Sequence, residues 1–297
     1  LQQGDTLGAR EQFERARDIA QRIDDTYAFG LAQYGLARVL TAEGDRRAAA
    51  EENRLYNAVL DIFRDRVPNP NIARQVLLSR AESYRVIGNH EEARNWYLTA
   101  ANEAREASDP IGEGYALLEL GDLYLERFLF DEALANYNAA AQQFTRGDDW
   151  IGRGETLYRL AEIYIQQVDY PSAYDRYQEA LALYEREGYS ELYGEQGDLL
   201  RQAETLTRIG EAYAHQARLA LALNQQFLAL SRVQEARQAL EATNRFVVPD
   251  EIVAMTGPVE ARIYRNLGAV RTEMGQLEEA REALSRALEL TTQSGDH

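Results

Sequence analysis

The stretch 115–140, YALLELGDLYLERFLFDEALANYNAA, decides the fold because it contains two apolar stripes separated by a short turn. The apolar and small residues of its first half follow the i, i+3, i+4, i+7 spacing of one helix face: Leu117, Leu120, Gly121 and Tyr124. In its second half Ala133, Tyr137 and Ala140 form a similar stripe. We therefore expect a hairpin of two antiparallel helices, with more apolar surface than one hairpin can bury.

The same pattern recurs on both sides of this stretch at a step of 40 residues. ETLYRLAEIYIQQVDYPSAYDRYQEA follows at 155–180, and LSRAESYRVIGNHEEARNWYLTA precedes at 78–100. Small residues and tyrosines keep their places, as the equal intervals from Gly121 to Ala161 and from Tyr137 to Tyr177 illustrate. A fixed period of this length indicates a repeat protein in which neighbouring hairpins stack.

These residues resemble the tetratricopeptide repeat family, which has small residues at the eighth and fifteenth or twentieth positions, aromatic residues at the eleventh and twenty-fourth, and Ala at the twenty-seventh. The resemblance implies an all-α fold, a right-handed α-solenoid of antiparallel helix hairpins. Its first helices are expected to line a concave groove. The 40-residue step is similar to that of arrays in bacterial signalling and scaffold proteins.

The positions of the matching residues predict the organisation of the chain. The expected segments are the second helix of a truncated first repeat (1–23), repeats at 24–66, 67–107, 108–147 and 148–187, a repeat with a longer leading segment (188–236), an insert (237–258) and a last repeat (259–297). Because the opening residues match only the second half of a repeat, we expect the face of residues 6–20 meant for the missing helix to be exposed or covered by a neighbouring molecule.

The composition excludes several kinds of site. There is no Cys, and all 32 basic residues are Arg, so thiolate metal sites, Walker A loops and Schiff-base lysines are impossible in this sequence. The three histidines, His90, His215 and His297, have no ligand spacing. Glu211 and His215 lie at i, i+4 like an acid–base pair, but this spacing is more common in surface contacts. We expect no catalytic residue, no metal and no cofactor.

The charge balance bears on partners and location. The 49 acidic residues exceed the 32 Arg, which gives a net charge of −17 and a pI near 4.7. Direct binding of nucleic acid, which requires a clustered basic face, is not expected. No stretch approaches the roughly 18 apolar residues of a membrane helix, so we expect no membrane insertion. No secretory signal is visible, and we expect a cytoplasmic location.

The resemblance also suggests which residues face the groove, since the family uses the second, fifth, ninth and twelfth positions of each first helix. The candidate partner-binding residues are Tyr34, Arg38, Leu78, Glu82, Tyr115, Leu118, Asp122, Tyr158, Glu162, Glu211 and Arg265. Four successive repeats have an acid at the ninth position. This pattern predicts an acidic groove, lined by Tyr and Leu, for a basic or amphipathic partner. The alternative is a solvated face in an acid-rich chain.

The expected function is therefore non-catalytic: a protein–protein interaction scaffold that binds a peptide or a segment of a partner protein in this groove. Two alternatives stay open at this point. The chain is a regulatory or sensor arm of a larger bacterial signalling protein (an ATPase, a protease or a transcription regulator) that responds to a peptide or small ligand, or it is a structural homo-oligomer that associates through exposed repeat ends.

Overall fold

The computed structural model describes residues 6–44, 48–185, 190–243 and 249–294. Over these ranges the regular structure is helical, without strands. The helices are α1 (Thr6–Arg22), α2 (Thr26–Glu43), α3 (Ala49–Asp61), α4 (Pro70–Val86), α5 (His90–Glu106), α6 (Pro110–Glu126), α7 (Phe130–Gly147), α8 (Trp150–Gln166), α9 (Tyr170–Tyr184), α10 (Ser190–His215), α11 (Leu219–Thr243), α12 (Pro249–Glu273) and α13 (Leu277–Ser294), and a π-helical segment, Ile62–Arg66, extends α3.

Two units contain these helices, Leu1–Asp149 and Trp150–His297. In the first unit each helix packs against the next along the chain, from α1 to α7. The second unit is built in the same way from α8 to α13. The strongest pairing in each unit joins the two helices of one hairpin, α6 with α7 in the first unit and α10 with α11 in the second. The predicted all-α solenoid of stacked helix hairpins is thus confirmed.

Tyrosines from the second helices fill the space between the two helices of a hairpin. The rings of Tyr97, Tyr137 and Tyr177 are fully buried. Each ring lies near a small residue of the first helix, and the backbone of Gly121 approaches the Tyr137 ring so closely that no Cβ would fit without a shift. The small and aromatic positions of the repeat are therefore two halves of one packing contact.

Side-chain caps begin several of the helices. Asp109 lies immediately before α6, and its carboxylate accepts a hydrogen bond of 2.9 Å from the backbone N–H of Gly112. Asn69 caps α4 in the same way, by accepting a bond from Ile72. Proline follows the cap in both helices, at a position where no amide donor is needed. In both cases the turn between two hairpins thus supplies the residue that caps the first helix of the following hairpin.

The insert expected at 237–258 is largely helical where the structure describes it. Helix α11 continues to Thr243, and α12 begins at Pro249, so both ends of the insert extend long helices of the last two hairpins. The apolar residues 246–248 of this stretch lie outside the described residues. Met255 lies within α12 and is exposed.

Helix α1 has exposed apolar side chains. Phe13 packs against the backbone of Gly35 in α2, but Leu7 is 70% exposed and Ile19 is 55% exposed. The expected exposure of residues 6–20 is therefore seen at these two side chains.

The turn inside each hairpin contains one residue with a left-handed backbone. In three hairpins this residue is glycine, as at Gly88 with a φ of 79°, but in the others it is Phe128, Val168 or Ala217, with φ between 56° and 62°. A left-handed conformation costs a side-chain-bearing residue roughly 1–2 kcal/mol, most of all a β-branched one. Val168 is 66% exposed, so its side chain gains little packing in return.

We expect Val168→Gly to stabilise the protein by about 1 kcal/mol, because relief of the left-handed strain outweighs the added freedom of glycine in the unfolded chain. Urea unfolding measures the change. The reverse substitution at the equivalent turn residue, Gly88→Val, is the matched control and should destabilise. A Val168→Gly protein less stable than the wild type would contradict the strained turn.

Candidate functional site

Three of the four acids at the ninth repeat position accept hydrogen bonds from the buried tyrosines at the twenty-fourth position. The bonds are Tyr97 to Glu82 at 3.3 Å, Tyr137 to Asp122 at 2.5 Å, and Tyr177 to Glu162. Burial, together with the nearby carboxylates, raises the pKa of the Tyr97 and Tyr177 hydroxyls, which stay protonated as donors. One oxygen of each acid is thus held by its own hairpin.

Two arginines neutralise part of the acidic row. Arg85 donates two bonds to Glu82, at 2.5 and 2.7 Å, and this pairing raises the pKa of the guanidinium. In the second unit Arg208 lies between Glu162 and Glu211, with N–O distances of 3.2 and 3.0 Å. Three carboxylates for which the sequence alone indicated no partner, Glu82, Glu162 and Glu211, are therefore paired with arginine.

An open cleft of about 540 Å³ lies on the first helices of the first unit. Three of the candidate residues line it together: Arg38, Leu78 and Glu82. The remaining lining residues are Thr41, Ala42, Tyr56, Ser79, Arg85, Val86 and Glu119. Two arginines and two glutamates balance each other here, so this cleft is amphipathic and not acidic as the ninth positions alone predicted.

Other candidates of the first unit are used for packing. Leu118 is buried in the core, with 5% of its surface exposed. Tyr115 packs edge to face against Phe144, with ring centroids 4.8 Å apart. The Tyr34 hydroxyl bonds to the Ser79 hydroxyl at 2.7 Å and joins α2 to α4. Their expected contact with a partner remains a prediction, and Leu118 would need to become accessible first.

The candidate partner-binding residues of the second unit lie at two separate sites. Tyr158 packs edge to face on Tyr177 and accepts a hydrogen bond of 3.3 Å from Arg208, beside Glu162. Burial raises the pKa of the Tyr158 hydroxyl. Arg265 is exposed and lines a separate cavity of about 410 Å³ between α12 and α13. The structure thus groups Tyr158 and Glu162 with Glu211, through Arg208, but not with Arg265.

A further cavity of about 460 Å³ lies beside Glu211. Its lining residues are Gly210, Glu211, Ala214, His215, Ala217, Gln226, Asn266, Ala269, Val270 and Glu273. Asn266 donates a hydrogen bond of 2.7 Å to Glu211 from 55 residues away, a contact with no local signal in the sequence. Gln226 has such a signal, because it lies 15 residues after Glu211, where three other repeats have tyrosine.

Neither a metal cluster nor a membrane span is present over the ranges given above. No group of three or more His, Asp and Glu residues there is arranged to hold a metal ion. Among the helices described, none is long and apolar enough to cross a membrane.

Comparison with known proteins identifies the repeat. A family model described as tetratricopeptide repeat matches residues 114–186. A search of the curated proteins finds no match. The solved structures include BtubC from P. vanneervenii, with a TM-score of 0.62, 19% identity, and coverage of 81% of this chain and 94% of that chain.

Two other solved structures cover nearly the whole chain. A signal transduction ATPase with numerous domains from Pyrococcus horikoshii, with a tetratricopeptide repeat sensor, has a TM-score of 0.65 and 15% identity over 95% of this chain, which spans 40% of that chain. A Rap protein complexed with competence and sporulation factor has a TM-score of 0.56 and 14% identity, over 98% of this chain and 72% of its own. At these identities the likeness concerns the fold.

Proposed function

The chain is a tetratricopeptide-repeat protein, and we propose that it is a non-catalytic interaction module that binds a segment of a partner protein on the first helices of its hairpins. The open cleft beside Leu78 and Val86 carries this proposal. Val86 is 51% exposed although it is apolar, and it lies among lining residues of both charge signs. Such a surface suits an amphipathic segment, whose apolar side chains cover Val86 while its charged groups meet Arg38 and Glu82.

The size and openness of the cleft favour this function. A volume of about 540 Å³ falls within the roughly 300–1,000 Å³ that is usual for binding pockets. The cleft is open to solvent and is lined by residues of several helices, as a site for a segment of another protein must be. Among proteins of this fold, the Rap protein holds a competence and sporulation factor, and this supports a binding role for the fold here.

A regulatory or sensor role is the second candidate, in which the same surface reports the presence of a ligand to other domains. The repeat sensor of the signal transduction ATPase supports this candidate through its fold. Both candidates require binding on the first helices, and they differ in the response that binding triggers. Association of identical copies through repeat ends is a third candidate, and the exposed Leu7 and Ile19 side chains favour it.

The proposal predicts that peptides selected on the purified chain from a displayed library are amphipathic and depend on the cleft. Ala42 lines the cleft and is exposed, so Ala42→Trp should fill the cleft without disturbing the core. We expect this substitution to weaken the selected peptides about tenfold or more, which corresponds to about 1.4 kcal/mol. Isothermal titration calorimetry measures the affinities.

The matched control is Ala135→Trp, which adds the same side chain at an exposed position of α7 outside the cleft lining. It should leave the affinities unchanged. Failure to enrich any amphipathic peptide, or equal affinities for the wild type and Ala42→Trp, would overturn the proposed function.

A further inference from the structure

The hairpin of α10 and α11 departs from the tyrosine–acid pairing of the three hairpins before it. In those hairpins a buried tyrosine donates to the acid that lies 15 residues earlier. At the corresponding place α11 has Gln226, which is shorter and has no ring. Its amide nitrogen donates to the carbonyl oxygen of Thr207 at 3.0 Å, so it does not replace the tyrosine as donor to Glu211.

The glutamine that stands in place of tyrosine lines the cavity beside Glu211. Gln226 is fully buried and lines the cavity, and its side-chain oxygen has no hydrogen-bond partner among the residues that the structure describes. A buried acceptor without a donor costs free energy, which a ligand that supplies the donor recovers. The cavity, of about 460 Å³, has the size of a site for a small group, since such sites begin near about 300 Å³.

The polar groups around the cavity are mainly acceptors. Glu211 and Glu273 contribute carboxylates, and Asn266 and Gln226 contribute amide oxygens. Among the described lining residues, His215 is the one whose side chain can carry positive charge, and its ring is stacked on Tyr170 at a centroid distance of 5.3 Å. Arg208 contacts Glu211, but it is shared with Glu162 and does not line the cavity. A donor with positive charge therefore complements this site.

We propose that the cavity binds an ammonium or guanidinium group, which comes either from a basic side chain of a partner segment or from a free small amine. The cation donates to the Glu211 and Glu273 carboxylates, and its further N–H groups meet the amide oxygens of the wall. If a partner segment supplies the cation, the proposal rests on the proposed function. If a free amine supplies it, the site corresponds to the sensor role.

The test uses four probes on the full chain: free L-arginine, the peptide acetyl-Gly-Gly-Arg-Gly-Gly-amide, and the citrulline counterpart of each. Citrulline keeps the shape of the arginine side chain but has a neutral urea in place of the guanidinium. Free arginine and free citrulline carry the same α-ammonium group, so the difference between them reports the guanidinium. The side-chain amide signals of Asn266 and Gln226 in ¹H–¹⁵N spectra report binding. We expect both arginine probes to shift these signals at concentrations about tenfold lower than their citrulline counterparts. Tighter binding of the peptide assigns the cation to a partner segment, and tighter binding of free arginine assigns it to a free amine.

Gln226→Tyr tests the cavity itself, since it restores the residue found in the neighbouring repeats. Tyr137 lies against Gly121 and donates to Asp122, and Gly210 and Glu211 offer the same arrangement to a tyrosine at position 226. The ring should fill the cavity and weaken arginine binding about tenfold or more, and the shift of Asn266 reports this. Equal shifts by arginine and citrulline, or undiminished binding to folded Gln226→Tyr, would overturn the proposal.

Glu273→Arg provides a second variant that does not touch the core, because Glu273 is exposed at the end of α12. It should weaken the arginine probes by charge repulsion, and the matched reversal Glu282→Arg, on the exposed face of α13, should not. Equal effects of the two reversals would contradict a local site.

The outcomes separate this proposal from the proposed function. If Ala42→Trp abolishes peptide binding but arginine and citrulline shift the Asn266 and Gln226 signals equally, the proposed cation site is wrong and the proposed function stands. If no amphipathic peptide is enriched while Gln226→Tyr abolishes arginine binding, the proposed function fails alone and the free-amine form stands.

Discussion

Gly121→Leu should lower the free energy of unfolding by about 3 kcal/mol or more, because the added side chain enters a contact that has no space for it. A Cβ atom at this position would lie 2.5 Å from Cδ1 of Tyr137. The Tyr137 ring is fully buried and its hydroxyl is held by Asp122. The ring therefore cannot turn aside without loss of its own packing and hydrogen bond. Urea unfolding, followed by circular dichroism, measures the effect.

The control for this substitution is Ala135→Leu, which adds a comparable volume on an exposed face of α7. A surface substitution of this kind normally changes stability by about 0.5 kcal/mol or less. Similar stabilities of Gly121→Leu and Ala135→Leu would mean that the two helices of the hairpin are not in close contact at Gly121.

Tyr177→Ala is expected to cost about 3–5 kcal/mol, as for other fully buried aromatic residues that are truncated to alanine. Tyr177 has no exposed surface and its hydroxyl donates to Glu162. Tyr177→Phe keeps the ring and removes the donor to a charged acceptor, so its cost should be about 1.5–3 kcal/mol. Comparison of the two variants by urea unfolding separates ring packing from the hydrogen bond.

Leu228→Ala serves as the control for the loss of apolar volume in the same unit, because Leu228 is 43% exposed. Its cost should be much smaller than that of Tyr177→Ala. Equal stability of Tyr177→Phe and the wild type would show that the hydroxyl bond to Glu162 contributes nothing.

The stability of the protein at alkaline pH provides an independent measurement on the same hydroxyl. Burial, and then the charge of Glu162, raises the pKa of Tyr177 above its ordinary value of 10.0. The unfolded chain then loses a proton at lower pH than the folded protein. The contribution of Tyr177 is fully present below about pH 10 and is lost as the pH rises toward the folded pKa. Tyr177→Phe should therefore show a shallower decline of stability above about pH 10 than the wild type.

The contacts of the candidate surface could be predicted from the sequence only in part, as the acids at the ninth repeat position illustrate. Periodicity places Glu82, Asp122 and Glu162 at one position of the repeat, but it does not tell what each carboxylate contacts. Their tyrosine partners lie 15 residues away on another helix, a spacing visible in the sequence once the hairpin is assumed. Arg85 pairs with Glu82 from three residues along the same helix, a local spacing. Arg208 instead reaches Glu162 from the next hairpin, 46 residues along the chain, and no local spacing predicts this pair.

The sequence by itself determined the helical hairpins, their 40-residue step and the tyrosines of the core, because helix periodicity and the need to bury an apolar stripe are local and repeated. Only the tertiary structure decided which charges of the surface are paired between hairpins. Leu118 lies in the core, Arg208 pairs with Glu162 from the next hairpin, and Gln226 adjoins a cavity at the place that tyrosine fills in three other hairpins. Charge and cavity volume depend on side chains that meet from separate helices, and the spacing along one helix does not contain that information.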